Sequence, residues 1–344
     1  MRLFLHTLAT ALLLSALTAC SQSVPPLQYA RLGDLKLDSG ASIHDCRIGY
    51  RTFGKLNPDR SNAILFPTWF TGRSGDLASS IGTGRLVDDT KYFIIVVDAL
   101  GNGISSSPSN SQTQHGLAFP VFSIHDMVVS QHRLLTETLH LTHLHAVMGS
   151  SMGGMQTYEW VVSYPEAADL AIPIVGTPQQ SSYDLLLWNA EKTALESDPA
   201  WQGGHYTARP ALPMVAYLHE MNLSTPQYRV EHTTREQFSD YFHRIGTQNN
   251  LSSDPTDYLR QLQAMIAHDI AHSGTLYQAA ARVKARMLIV NARQDHMVDP
   301  LPPLGFAQLI HAQTVVLESD CGHMAPGCEI NTLAPAINRF LSRP

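Results

Sequence analysis

The chain has 344 residues, 44% of them hydrophobic and 15% charged, with a formal charge of −6 and 20 prolines scattered along its length. This composition describes a folded globular protein with a sizeable core and excludes a disordered or low-complexity chain. Charges of both signs alternate without a basic patch, which argues against nucleic acid and polybasic lipid binding, and four cysteines without a Cys-x-x-Cys pair give no zinc framework.

The first twenty residues read as a processing signal. Arg2 gives the positive charge, residues 3–17 the apolar run, and Leu17-Thr18-Ala19-Cys20 the end. The run is too short and too N-terminal to be kept as a spanning helix. An ordinary secretory signal wants a small residue third before the cut, and Leu17 is not small. Leu-Thr-Ala-Cys instead resembles the lipobox of bacterial lipoproteins, which implies that Cys20 becomes the lipidated first residue of the mature chain. The resemblance implies export and a lipid anchor in the bacterial cell envelope. Ser21, in place of an aspartate, implies the outer membrane facing the periplasm. Residues 20–28 then form a polar, proline-containing tether.

Residues 29–37 and 42–53 alternate or are β-branched around Asp38-Ser39-Gly40-Ala41, which predicts an antiparallel pair. Beyond them, residues 63–66, 92–97, 144–148, 170–175, 287–290 and 314–317 are short apolar runs separated mostly by helix-capable intervals. That alternation predicts an α/β fold with a mostly parallel sheet covered on both faces. Residues 126–139 form one of the clearer crossover helices, with Met127, Val128, Leu134, Leu135 and Leu139 apolar. His140, His143 and His145 cluster locally. Without neighbouring carboxylates or cysteines in the sequence, they read as a polar strand entry, so no metal site is assigned.

The alternation breaks over residues 177–274. Helical patterns surround Trp188, Ala194 and Leu195, then residues 214–221 and 258–270, with no convincing buried strand. Ligand sites favour the carboxyl edge of parallel strands, where this insert begins, so it reads as a helical lid between core segments 29–176 and 275–344. The plainer alternative is a helical domain without catalytic relevance.

Residues 147–155, VMGSSMGGM, supply the chemistry. They put Gly-x-Ser-x-Gly between a strand-like run and a helix-like run, the context of a nucleophile elbow, where the strained serine needs tiny residues two places either side. Ser151 has Gly149 and Gly153 at those places, whereas Ser150 has Met148 and Met152. Serine needs a base, and the base needs a group to hold its tautomer. Asp295 lies just after one late strand and His323 after the last, giving the order nucleophile, acid, histidine. Asp299, four residues further from its strand, and Asp320, too close in sequence to His323 to reach its far nitrogen, are rival acids, and His296 and His311 are rival bases, neither after the final strand. The oxyanion needs two backbone donors, one from Met152 and one from the early loop Pro67-Thr68-Trp69-Phe70-Thr71-Gly72, which is not of the HGGG form.

These residues resemble the homoserine O-acetyltransferases of the α/β-hydrolase superfamily. The likeness lies in GSSMGGMQTYEW followed by YPE, the upstream DMVVSQHRLL, the N-terminal IGYRTFGKLN, and DPAWQGGHY and DPTDYL…HD in the lid, and it spans nearly the whole mature chain. It implies an α/β-hydrolase fold, ping-pong acyl transfer through an acyl-serine, and Phe70 as the second oxyanion donor. Three departures stand out. Met324 follows His323 where the family has an aspartate for the homoserine amine, the lid arginine for the substrate carboxylate falls near Ala216, and GNGISSSPSN replaces the usual pattern after Gly101. An amino acid zwitterion would lose contacts of roughly 1.5–3 kcal/mol each. Export also separates the chain from cytosolic acyl-CoA.

The sequence therefore predicts an ester or acyl hydrolase acting on a small acyl ester through Ser151, Asp295 and His323, without a cofactor. Its rivals are an O-acyltransferase and a non-catalytic lipoprotein binding module; a homodimer is left open. In an oxidising compartment Cys321 and Cys328, flanking His323, would close a small disulfide ring, while Cys46 stays a buried thiol.

Overall fold

The N-terminal antiparallel pair forms as the alternation requires: β1 (Gln28–Lys36) pairs with β2 (Ser42–Phe53) from Gln28 opposite Tyr50 to Lys36 opposite Ser42. The register slips on both sides of Gly33, whose φ of 64° suits a bulge. A computed structural model describes residues 24–247 and 253–342, so the leader, Cys20 and the start of the tether lie outside the described residues. The tether's end is fastened, because the Arg51 guanidinium donates to the Pro25 carbonyl and Gln28 already belongs to β1.

The strands β3 (Ala63–Pro67), β4 (Phe93–Val97), β5 (Leu144–Ser150), β6 (Ala168–Ile174), β7 (Arg286–Ala292) and β8 (Gln313–Leu317) run parallel, and β2 joins β4 antiparallel. Among the described residues they form one sheet in the order β1-β2-β4-β3-β5-β6-β7-β8. Alternate side chains feed two apolar layers: Leu65, Val147 and Ala171 enter one, and Ile64, Phe66, Ala146, Met148 and Ile172 the other. Burial on both faces explains why these strands read as continuous apolar runs.

The crossover helix α1 (Ile124–Arg133) starts two residues earlier than its apolar pattern suggests. Ser123 and Asp126 form a reciprocal capping box there, and residues 134–138 widen into a π turn that still buries Leu134 and Leu135. Helix α2 (Met152–Ser163) packs against β5 and β6. The histidine cluster needs one correction, since a carboxylate does approach it: His143 Nε2 lies 2.9 Å from Asp169, while His145 Nε2 lies 2.8 Å from the Leu341 carbonyl. Both contacts are structural fastenings near one end of the sheet.

The insert consists of α3 (Ser182–Ser197), α4 (Pro213–Leu223), α5 (Pro226–His232), α6 (Phe238–Thr247) and α7 (Pro255–Ile266). Its base is clasped by a bridge between Gln179 and Asp269. Helices α5 and α6 had no counterpart in the sequence reading; α5 buries none of its residues, and α6, although Phe238, Tyr241, Phe242 and Ile245 recur at helical spacing, buries only Ile245 and Gly246. The chain returns through α8 (Leu276–Ala280), and β7 and β8 are followed by α9 (Leu301–Leu309), α10 (Ala325–Cys328) and α11 (Ile330–Leu341). Among the described residues no helix is long and apolar enough to cross a membrane.

Candidate active site

Strand β5 ends at Ser150 and α2 begins at Met152, so Ser151 makes the whole turn, at φ 56° and ψ −122°. A β-carbon on Gly149 would lie 2.3 Å from the Gly153 carbonyl oxygen, and one on Gly153 would lie 2.7 Å from that of Pro67. Both neighbours are backbone, so neither can give way, and the spacing of the two glycines has a direct steric cause. The strained serine is held by its amide, which donates to the Ile174 carbonyl at 2.8 Å.

His323 Nε2 lies 3.0 Å from Ser151 Oγ, and His323 Nδ1 lies 2.7 Å from Asp295 Oδ2. Asp295 sits in the loop after β7, where its other oxygen accepts the amides of Met297 and Val298 at 2.9 Å each. Its carboxylate is therefore fully engaged, with one edge aimed at the imidazole. The rivals stand elsewhere. The Asp299 carboxylate accepts the Leu301 amide, the Asp320 carbonyl accepts both the amide and hydroxyl of Thr225, and neither His296 nor His311 hydrogen-bonds to Ser151 or Asp295.

His323 belongs to a short 3₁₀ turn, Gly322–Met324, after β8. A disulfide joins Cys321 to Cys328 with Cα atoms 6.6 Å apart, bracketing that turn. Cys46 is a free, buried thiol, and burial pushes its pKa up to about 12, which makes it a poor nucleophile.

Met152 is the first residue of α2, and the first amides of a helix lack intrahelical acceptors. The Phe70 amide, in the loop after β3, donates to no described residue. Both sequence-named donors are thus free, and Phe70 lines the same pocket as Ser151. That pocket, about 400 Å³, is walled by the core through Trp69, Met324 and Ile330 and by the lid through Trp188, His219 and Leu223. No carboxylate, lysine or arginine is among its described lining residues, and its ionisable groups are His219 and His323. Ala216, near which the lid arginine of the resembled family falls, is buried and outside the lining. The one potential metal-ligand group among the described residues, Asp38, His125 and Asp126, sits at the start of α1, where Asp126 is occupied as a cap.

A strained serine between strand and helix, bonded to a histidine and an aspartate from later loops of a parallel sheet, is one constellation on one fold. A family profile described as the alpha/beta hydrolase fold matches residues 64–326, a span that contains all three side chains. The chain belongs to the alpha/beta hydrolase family. It is 33% identical to a probable esterase of Corynebacterium glutamicum, over 87% of this chain and 90% of that protein. It is 31% identical to a homoserine O-acetyltransferase of Methanosphaerula palustris, over 89% of this chain and 71% of that protein. Among solved structures, that of the acetyl esterase MekB superposes with a TM-score of 0.86 at 31% identity, covering 92% of this chain and 97% of the other.

Within this alpha/beta hydrolase, sequence reasoning missed the residues that hold the site together from beneath and above. Gln261, buried on α7, accepts the Thr71 amide at 2.8 Å and donates to the Leu100 carbonyl at 2.9 Å, so a lid residue clamps the loop that carries Phe70. Gln156 donates to the Thr68 carbonyl at 3.1 Å from below. In the lid, the Glu191 carboxylate is wholly buried, accepts the Tyr258 hydroxyl at 2.5 Å and lies 3.2 Å from His219 Nδ1. Burial disfavours the His219 imidazolium, but the charge and hydrogen bond of Glu191 outweigh it and raise the pKa above the ordinary value. The available signal was faint: a glutamate, a histidine and a glutamine inside helical patterns read more readily as solvated positions.

Proposed function

We propose that this chain is an ester hydrolase that splits small acyl esters through an acyl-Ser151 intermediate. The observation that carries the reading is the unbroken hydrogen-bond chain Ser151–His323–Asp295 opening into a pocket whose described lining holds no carboxylate, lysine or arginine. In acylation, Ser151 Oγ attacks the ester carbonyl carbon while His323 Nε2 takes its proton, Asp295 stabilises the imidazolium, and the Met152 and Phe70 amides donate to the oxyanion. The carbon–oxygen bond to the leaving group breaks as His323 returns the proton, releasing an alcohol. In deacylation, water attacks the acyl carbon, gives its proton to His323 and releases a carboxylic acid, and the proton ends on Ser151.

Acyl transfer is the second reading, supported by the 31% identity to a homoserine O-acetyltransferase. It needs an acceptor held well enough to outcompete water at about 55 M in a dry site. Met324 is 52% exposed and apolar in the pocket wall, and an amino acid zwitterion would meet no carboxylate for its amine there. Hydrolysis is therefore the default fate of the acyl-enzyme. The name of the acetyl esterase MekB points to a short acyl group.

A fluorophosphonate probe should label Ser151, and short acyl esters should yield free acid at a rate unaffected by added homoserine. Formation of O-acetylhomoserine from homoserine and acetyl-CoA faster than ester hydrolysis would overturn the hydrolase reading in favour of transfer. Lipidation of Cys20, with anchoring in the outer membrane facing the periplasm, belongs to the same proposal and rests on Leu17-Thr18-Ala19-Cys20. Mass spectrometry of the mature N-terminus tests it: a diacylglyceryl-modified Cys20 is expected, and an unmodified N-terminus at another residue refutes the anchor.

A further inference from the structure

In a pocket lined mainly by apolar side chains, the lid supplies two polar groups that the catalytic steps leave unused. Trp188 is 2% exposed and lines the pocket, yet its indole Nε1–H has no hydrogen-bond partner. An indole nitrogen only donates, and buried donors are ordinarily satisfied, so this one is a spare donor within a residue of the pocket wall. His219 lines the same pocket with its side chain 23% exposed. Its Nδ1 faces Glu191 at 3.2 Å, and its Nε2 bonds to no described residue. The ring is locked from several sides, by Glu191, by Tyr258 acting through that carboxylate, and by the Phe70 ring with centroids 6.1 Å apart. A buried glutamate bonded to both a tyrosine and a histidine is a costly arrangement to retain merely to fill a lid.

The charged neighbours of His219 narrow the ligand. Glu191 lies on α3 and Glu220 on α4, while Arg229 of α5 is paired with Glu220 at 2.9 Å. With Nδ1 committed to Glu191, Nε2 is the ring nitrogen left for a ligand, and against the cost of burial the Glu191 and Glu220 carboxylates favour the imidazolium, in which Nε2–H is a second donor. Two donors and no acceptor select an oxygen lone pair. We propose that Trp188 and His219 form a donor subsite for a second oxygen on the substrate, so that the preferred esters carry an ether, carbonyl, hydroxyl or carboxylate oxygen away from the scissile bond. This specificity rests on the ester hydrolase reading given above. Glu191 is the positioning residue for His219.

The test compares near-isosteric esters: 2-methoxyethyl acetate against butyl acetate for an oxygen on the alcohol side, and ethyl methoxyacetate against ethyl butyrate for one on the acyl side. In the native protein kcat/KM, divided by each ester's rate constant for hydroxide-catalysed hydrolysis to remove inductive activation, should favour the oxygenated member of at least one pair by about tenfold, the size of one charge-assisted hydrogen bond. His219→Phe, which keeps an aromatic ring beside Phe70, should remove most of that ratio whatever happens to the absolute rates. Trp188→Phe should lower it in part, and His219→Gln, which keeps an N–H donor, should retain more than the phenylalanine variant. The preference should also fade as pH rises through the His219 titration. Equal rates within both pairs in the native protein, or a ratio untouched by His219→Phe, would overturn the subsite. If no ester is turned over, the hydrolase reading fails, and calorimetric titration of Ser151→Ala with the same pairs still decides: tighter binding of an oxygenated member supports the subsite, and equal binding refutes it.

Discussion

The core and the lid build the same pocket by different means. In the core, position follows from backbone: Ser151 is fixed by a strand-to-helix turn with two indispensable glycines, and Asp295 and His323 by loops directly after β7 and β8. In the lid, position follows from buried polar side chains that reach across between elements. Glu191 of α3 meets His219 of α4 and Tyr258 of α7, Gln261 of α7 reaches the loop after β3, and Asp257 of α7 accepts the Ser109 amide and hydroxyl at 2.9 and 2.6 Å. A backbone-determined site tolerates change around it, whereas a polar-determined wall fails one contact at a time. On the proposed reading, reactivity belongs to the core, while the lid holds the loop that carries Phe70 and walls the pocket.

The largest effect should follow from breaking the core. Ser151→Ala removes the nucleophile and should lower kcat for a short acyl ester by something on the order of 10⁴- to 10⁶-fold, with fluorophosphonate labelling lost and the thermal melt little changed. Retained labelling would move the nucleophile elsewhere. The lid should produce an intermediate loss. Gln261→Leu removes the acceptor of the Thr71 amide, which sits next to Phe70 in a residue with φ of 60°. Loosening that loop costs oxyanion stabilisation, and kcat should fall by about 10- to 100-fold. KM should change far less, because the contact matters most when charge develops on the oxygen. A fall confined to KM would show that the loop binds substrate without acting on the transition state.

A third test reads the lid's polar fastening through pH. Burial raises the Asp257 carboxyl to about 7, against opposing hydrogen bonds from Ser109. A folded-state pKa above the unfolded value near 4 means that the native protein holds a proton the unfolded chain releases. Stability from this group is full below about pH 4, falls as pH rises and levels off above about 7. Asp257→Asn imitates the neutral acid and should remove this slope, raising stability at pH 8 by on the order of 2 kcal/mol relative to the parent while leaving pH 4 nearly unchanged. Denaturant melts at the two pH values measure it. Parallel pH dependence in parent and variant would mean that Asp257 is ionised in the fold.

The same contrast explains what could be read in advance. The short apolar runs reveal the sheet because β3 through β7 are buried on both faces, and Ser151, Asp295 and His323 declare themselves because their positions are tied to strand ends. Even the choice of Asp295 over Asp299 was legible, since one lies three residues after β7 and the other seven. Glu191, His219, Gln261 and Asp257 were not legible, because a polar residue inside a helical pattern looks the same whether it faces water or another helix. Their partners lie 28 to 190 residues away in the chain, distances over which no local period carries information. Helix α5 escaped for the complementary reason that it buries none of its residues, whereas α6 does carry Phe238, Tyr241, Phe242 and Ile245 at helical spacing, a legible stripe that the sequence reading missed.

The smallest effect should come from Met324, where core and lid face each other across the pocket. Its side chain is 52% exposed and follows directly on His323, so Met324→Asp adds a carboxylate to the wall with little loss of packing. A half-exposed charge is well screened, and its influence on the neighbouring chemistry amounts to roughly 0–1 kcal/mol. Hydrolysis of a short acyl ester should therefore persist within about fivefold of the parent. Neither protein should divert acyl groups to homoserine, because one new, half-exposed and well-screened carboxylate holds the amine of that acceptor too weakly for it to outcompete water. Initial rates by pH-stat and chromatography of the acyl products in the presence of homoserine give both answers from one reaction. Loss of hydrolysis in the variant would make Met324 part of the catalytic apparatus rather than of its wall, and appearance of O-acylhomoserine would show that acceptor specificity turns on this one side chain.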